Sequence, residues 1–149
     1  MLYPTLNKVE ELLKEYQMVP VFYEVLADYM TPIRMFQALR KEGTPCFMLE
    51  SVENKDQWGR YSFIGINPKS EIKISGKELE VDGVKQEEEF KMSYLSNLIK
   101  KYKSPVMEDC PKLTGGLIGY FGYDMIRQVE KKLTNVPEDD LKMPECHLC

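Results

Sequence analysis

Two apolar segments joined by a short polar stretch constrain the fold more than any other part of the sequence. Residues 46–52 and 61–66 each have the length and apolar content of a buried strand, and residues 53–58 between them are mostly polar. We interpret the two segments as neighbouring central strands. Such a pair must be covered on its apolar faces, so the chain is predicted to fold around it.

The first of these strands ends on a carboxylate and a hydroxyl, Glu50 and Ser51. Burial of a carboxylate without a partner is costly, so Glu50 predicts a ligand that brings its own cation. An amino acid meets this requirement, because its ammonium group suits Glu50 and its carboxylate suits backbone N–H groups and hydroxyls. The alternative is a strand end whose polar groups reach water.

Composition narrows the class of protein. The chain has 149 residues, of which 43% are hydrophobic and 11% aromatic, and this is enough for one domain with a core. The formal net charge of −4, with acidic and basic residues well mixed, argues against a nucleic-acid or anionic-membrane surface. No apolar run approaches the roughly 20 residues of a membrane span, and the N-terminus lacks a signal-peptide pattern. We therefore expect a cytoplasmic protein.

The chemistry of the C-terminal segment is open to two interpretations. Cys146, His147 and Cys149 lie close together and suggest zinc, but no second ligand pair has a compatible spacing. Residues three apart in a strand also face opposite sides. We favour a core strand whose thiols are reduced, as in other cytosolic proteins. His147 is the only histidine and has no serine or acid at a telling position, so a catalytic triad is unsupported.

Periodicity predicts the remaining elements. Helical spacing of apolar residues indicates helices at residues 5–17, 32–42 and 90–103 and a shorter one at 123–132. Further strands are predicted at residues 19–27, 69–75, 79–81, 113–121 and 143–149. We therefore predict an α+β fold in which antiparallel sheets pack in two layers with flanking helices, with about seven to nine strands. The last strand is expected to leave an open sheet edge that promotes self-association.

Several ordered motifs resemble the N-terminal region of anthranilate synthase component I, the large subunit, within the chorismate-utilising enzymes. They are Met-Leu-Glu-Ser at 48–51, Gly-Arg-Tyr-Ser-Phe-Ile-Gly at 59–65 and Gly-Gly-Leu-Ile-Gly-Tyr-Phe-Gly-Tyr-Asp at 115–124. The resemblance implies that residues 1–149 form a truncated N-terminal regulatory domain of a larger two-layer α+β fold. The catalytic C-terminal domain would then lie outside this chain, which would be inactive alone.

The same resemblance implies a role for the strand ends as a feedback-inhibition site for L-tryptophan. The residues that correspond to it are Leu49, Glu50, Ser51, Tyr61 and Ser62. The rest of that pocket is expected in the C-terminal portion, so these 149 residues alone should bind tryptophan weakly or not at all. Arg60 and Arg127 are either structural ion-pair partners or supports for Glu50 and the pocket edge.

For the full-length protein the resemblance implies a lyase that makes anthranilate and pyruvate from chorismate. Mg²⁺ and chorismate would be bound by the C-terminal domain, and a glutamine amidotransferase subunit, component II, would supply ammonia. No catalytic residue, metal ligand, nucleic acid or membrane partner is expected in this chain. Two alternatives remain open: the large subunit of aminodeoxychorismate synthase in the folate pathway, and a stand-alone amino-acid-binding module.

Overall fold

The computed structural model describes residues 2–50, 61–108, 110–111, 113–130, 132–133 and 139–149. Within them lie three α-helices, one 3-10 helix and nine strands. The helices are α1 (Leu6–Leu12), α2 (Pro32–Leu39), α3 (Met92–Lys101) and the 3-10 helix Tyr123–Gln128. The strands are β1 (Leu2–Tyr3), β2 (Phe22–Tyr23), β3 (Cys46–Glu50), β4 (Ser62–Ile66), β5 (Ile72–Ser75), β6 (Glu78–Val81), β7 (Val84–Lys85), β8 (Gly119–Phe121) and β9 (Cys146–Leu148).

The predicted fold class is confirmed: the chain is α+β, and every strand pairing is antiparallel. The chain divides into two compact units. The first, here called the five-stranded unit, comprises residues 1–24 and 71–148. The second, here called the hairpin unit, comprises residues 25–70 together with Cys149.

The five-stranded unit contains a sheet with the strand order β7-β6-β5-β9-β8 and, separately, the β1–β2 pair. One face of the five-stranded sheet forms the core of the unit. Its buried hydrophobic residues are Ile72, Ile74, Leu79, Cys146 and Leu148 from the strands, with Phe90, Leu95 and Met125 packed against them. The alternation of apolar and polar residues along β5 therefore places its apolar side chains inward.

A tight turn fixes the hairpin of β6 and β7. Asp82 and Gly83 join the two strands with backbone φ angles of 54° and 78°. Positive φ at both central residues is the requirement of a type I′ turn, which suits aspartate and glycine. Asp82 also accepts a hydrogen bond at 2.8 Å from the backbone N–H of Glu71, at the start of β5. The dipeptide Asp-Gly is itself a strong sequence signal for such a hairpin turn.

The hairpin unit consists of α2 and the β3–β4 pair. Thr31 caps α2 by accepting a hydrogen bond at 3.3 Å from the backbone N–H of Arg34, and Pro32 occupies the first turn, where its missing N–H costs nothing. β3 and β4 pair in register from Cys46–Ile66 to Glu50–Ser62. Opposite Phe47 stands Gly65, where a Cβ atom would overlap the phenyl ring. Glycine at this position is therefore required by the close approach of the ring.

Several predicted elements are shorter in the structure. The strand expected at residues 19–27 is reduced to β2, because its partner β1 has only two residues. The strand expected at residues 113–121 is reduced to β8. Gly115 and Gly116 both adopt a φ of 150°, which interrupts the strand before it reaches Gly119. The helix expected at 123–132 is a 3-10 helix of six residues.

The position of the last strand differs from the prediction. β9 does not lie at a sheet edge, because it pairs with β5 on one side and with β8 on the other. The exposed edge at this end of the sheet belongs to β8 instead. β9 is placed centrally because its apolar side chains, Cys146 and Leu148, complete the buried face beside Ile72 and Ile74.

Candidate functional site

The predicted ligand-binding residues lie at one end of the β3–β4 pair. Glu50 is directly opposite Ser62, so their side chains share a face of the pair. Directly opposed residues have Cβ atoms about 4.5–5.5 Å apart, which places a carboxylate beside a hydroxyl. Met48 and Ile64, the pair two residues further along, continue this face with apolar side chains.

Leu49 lies on the opposite face of the pair. It is opposite Phe63, and successive side chains of a strand alternate between faces. The ring of Tyr61 lies beside that of Phe63, with centroids 6.2 Å apart and planes inclined by 31°. The structure therefore groups Leu49 with Tyr61 through Phe63, and groups Glu50 with Ser62. Ser51 and Arg60 lie outside the described residues.

The strand end is exposed rather than buried. Glu50 is exposed, and Leu49 and Tyr61 are 48% and 52% exposed. Because Glu50 is not buried in this structure, the sequence argument that its burial requires a ligand does not apply. What the strand end does provide is a carboxylate, a hydroxyl and two large apolar side chains that are all accessible to a ligand.

The second predicted cation has a structural partner. Arg127 forms an ion pair with Asp124 in the 3-10 helix, and the Nη2–Oδ1 distance is 2.7 Å. Arg127 is the more buried of the two side chains. This geometry matches the structural ion pair that the sequence suggested as one of two roles for Arg127.

A second cluster of polar residues lies on the solvent-facing side of the five-stranded sheet. One residue from each strand forms a continuous row across it: Tyr120, His147, Lys73, Glu80 and Lys85. The row is cross-linked by Glu71, whose Oε1 lies 2.6 Å from His147 Nε2 and 3.1 Å from Lys73 Nζ. Sequence reasoning found no acidic partner for His147, because Glu71 is 76 residues away along the chain.

The ion pairs of this row shift the pKa of Glu71. The hydrogen bond from Lys73 is the largest cause and lowers the pKa of the carboxyl group, and the contact with His147 lowers it further. Partial desolvation acts in the opposite direction. The same hydrogen bond raises the pKa of Lys73. Glu71 and Lys73 are therefore both charged at neutral pH, and the contribution of their ion pair to stability depends on pH.

Replacing Glu71 with glutamine is expected to destabilise the five-stranded unit at pH 7 by about 0.5–1 kcal/mol. A carboxylate whose pKa is lower in the folded state stabilises that state above its unfolded pKa of about 4.3. The stabilisation is lost as the pH falls through the folded pKa. In urea unfolding measurements the difference between Glu71→Gln and the wild type should therefore shrink as the pH falls below the unfolded pKa, and vanish once Glu71 is protonated in the folded state. Glu88→Gln, in the exposed acidic loop, is the control and should show no such difference; equal effects would contradict the assignment.

The cysteines show no arrangement suited to metal binding. Cys146 is fully buried in the core, and burial raises the pKa of its thiol to about 11, whereas His147 faces the other side of the sheet. Among the described residues, no three His, Cys, Asp or Glu side chains converge on a possible metal position.

None of the helices in the described ranges combines the length and the apolar character that a membrane span requires.

Comparison with known proteins identifies relatives that match nearly the whole chain. No protein-family model matches the chain, but many curated proteins do. The chain is 42% identical, over 99% of its length, to a protein named anthranilate synthase component 1 from Acetivibrio thermocellus. It is 33% identical, over 97% of its length, to anthranilate synthase alpha subunit 2, chloroplastic, from Arabidopsis thaliana, and 33% identical over 84% to a component 1 from Pseudomonas aeruginosa.

The chain therefore belongs to the anthranilate synthase component 1 family, and it corresponds to the N-terminal part of these proteins. It spans 30% of the length of the Acetivibrio relative and 27% of the Arabidopsis relative. The predicted resemblance is thus confirmed across bacteria and plants.

Proposed function

We propose that this chain is the N-terminal regulatory part of an enzyme of tryptophan biosynthesis. In its full length that enzyme converts chorismate and ammonia into anthranilate and pyruvate. The observation that carries the proposal is the 42% identity to an anthranilate synthase component 1 over 99% of the chain. Chorismate, Mg²⁺ and the glutamine amidotransferase that delivers ammonia are assigned to parts of the protein outside these residues.

We assign to the end of the β3–β4 pair a contribution to the tryptophan feedback site. The pairing of Glu50 with Ser62 supports this assignment, because it offers a negative charge and a hydroxyl side by side. The ammonium group of tryptophan pairs with Glu50, while Ser62 can donate to the tryptophan carboxylate. Charge-assisted hydrogen bonds of this kind contribute about 1.5–3 kcal/mol each.

The division of the predicted residues between two faces restricts how tryptophan is held. A ligand that contacts both Glu50 and Leu49 must lie across the end of the strand pair, because the two side chains point in opposite directions. In such a position the indole ring packs against Leu49 and Tyr61, both of which are accessible. The remaining walls of the pocket are assigned to the C-terminal portion of the longer protein.

Feedback inhibition requires tryptophan to bind two conformations of the enzyme unequally. We propose that tryptophan at the strand end favours a conformation with low affinity for chorismate. A coupling of about 1–3 kcal/mol is typical of such linkage. By reciprocity, chorismate should weaken the binding of tryptophan by the same factor.

Product analysis of the longer protein tests the proposed activity. Incubation with chorismate, ammonium and Mg²⁺ should release anthranilate and pyruvate in equal amounts, because formation of the aromatic ring expels the enolpyruvyl side chain. Anthranilate fluorescence and a coupled pyruvate assay measure the two products. Formation of an aminated chorismate without pyruvate would contradict the proposal and favour the folate-pathway alternative.

Titration calorimetry separates the proposal from a stand-alone binding module. The 149-residue chain should bind L-tryptophan at least about 100-fold more weakly than the longer protein, since part of the pocket is missing. Equal affinity of the two proteins would show that the pocket is complete here and would favour the binding module.

A further inference from the structure

The two edges of the five-stranded sheet differ in their protection against strand pairing. At one edge, β7 has only two residues, carries the charged Lys85 in an ion pair with Glu78, and runs into the acidic stretch 87–89. Short length and charge are common ways of blocking an edge. At the other edge, β8 has the sequence Gly-Tyr-Phe, without a charge or a proline. All three of its residues are exposed.

The hydrogen-bonding pattern shows which groups of β8 face outward. The N–H of Gly122 donates to the carbonyl of Glu145 at 2.6 Å, in register with the β8–β9 ladder. Bonded and non-bonded pairs alternate along an antiparallel ladder, so Tyr120 and His147 form the next bonded pair. The N–H and C=O groups of Gly119 and Phe121 therefore point away from β9, and in the described part of the chain the sheet ends there.

Apolar side chains lie beside this open edge. Phe121 is 57% exposed, and Tyr123 at the start of the 3-10 helix is 93% exposed. The edge thus combines outward-facing backbone groups with exposed aromatic side chains, the two features that strand addition uses for affinity and specificity.

We infer that the outer edge of β8 accepts an extended apolar strand from the portion of the longer family members that this chain does not span. This inference rests on the proposed function, because it takes the longer enzyme as the source of the strand. The chain spans only 30% of the length of the Acetivibrio relative. In a family member of that length, the other residues are covalently linked to the part that corresponds to this chain.

The small size of the edge selects a tethered strand over a second copy of the chain. Three residues bury much less than the roughly 1,000 Å² that a specific interface between separate proteins requires. A segment of the same polypeptide pairs intramolecularly, at an effective concentration that reaches roughly millimolar values for short flexible linkers, and therefore needs a smaller buried area.

Amide hydrogen exchange, followed by NMR, tests the inference at three residues. In the longer protein, the Phe121 amide should exchange roughly 100-fold more slowly than in the 149-residue chain. The Tyr120 amide, bonded to β9, serves as the control for an intact sheet. The Lys85 amide is the control for an open edge, because Gln86 donates to Leu79 at 2.8 Å and the alternation turns Lys85 outward.

Two different hydrogen-exchange results would overturn the inference. If Phe121 in the longer protein exchanges as fast as Lys85, no strand covers the edge. If Phe121 in the 149-residue chain becomes protected as the protein concentration rises, the occupant is a second copy. Release of anthranilate by the longer protein is measured separately, so failure of this inference leaves the proposed function testable on its own.

Discussion

Replacement of Ile74 by alanine is expected to lower the free energy of unfolding of the five-stranded unit by about 3–4 kcal/mol. Ile74 is fully buried on β5, the middle strand, with Leu79 opposite it on one side and Cys146 on the other. Truncation removes buried methyl groups and leaves a cavity that strands on both sides hold open. Since domains are typically stable by only 5–15 kcal/mol, this is a large fraction of the total.

Ile99→Ala is the matched control for this prediction. Ile99 lies on α3 and is 61% exposed, so the same chemical change should alter stability by less than about 0.5 kcal/mol. Urea unfolding monitored by circular dichroism measures both variants, and the slope of free energy against urea should be unchanged. Equal destabilisation by the two substitutions would show that the core is not centred on β5.

Local elements of the fold could be predicted from the sequence because their causes are local. Asp82 and Gly83 define a hairpin turn by their tolerance of positive φ, and Thr31 and Pro32 define the start of a helix. The position of β9 could not be predicted, since its pairing with β5 joins residues more than 70 positions apart. No periodicity within either strand specifies such a long-range partner.

The candidate site shows the same limit. The motif that contains Glu50 and the motif that contains Ser62 could each be recognised, but their register could not. The structure places Glu50 opposite Ser62 and Leu49 on the other face, a division that follows from strand alternation once the register is known. The contact between Glu71 and His147 could not be predicted from the sequence, because it depends on the pairing of β5 with β9.

In the longer protein, Glu50→Gln is expected to raise the tryptophan concentration for half-inhibition by about 10- to 100-fold. Glutamine keeps the shape of the side chain but removes the charge that pairs with the ligand's ammonium group. Loss of a charge-assisted hydrogen bond of about 1.5–3 kcal/mol corresponds to a change of this size. Ser51→Phe should relieve inhibition as well, by obstructing the same site with a bulky side chain.

Glu42→Gln provides the matched control, because Glu42 is an exposed glutamate in the same hairpin unit that no part of the proposed site includes. It should leave half-inhibition by tryptophan unchanged. Anthranilate fluorescence at increasing tryptophan concentrations measures all three variants, and turnover without tryptophan verifies that each is folded. Because both faces of the strand end are exposed in this structure, the regulatory assignment depends on this comparison: if Glu50→Gln and Ser51→Phe are inhibited like Glu42→Gln, tryptophan is bound elsewhere.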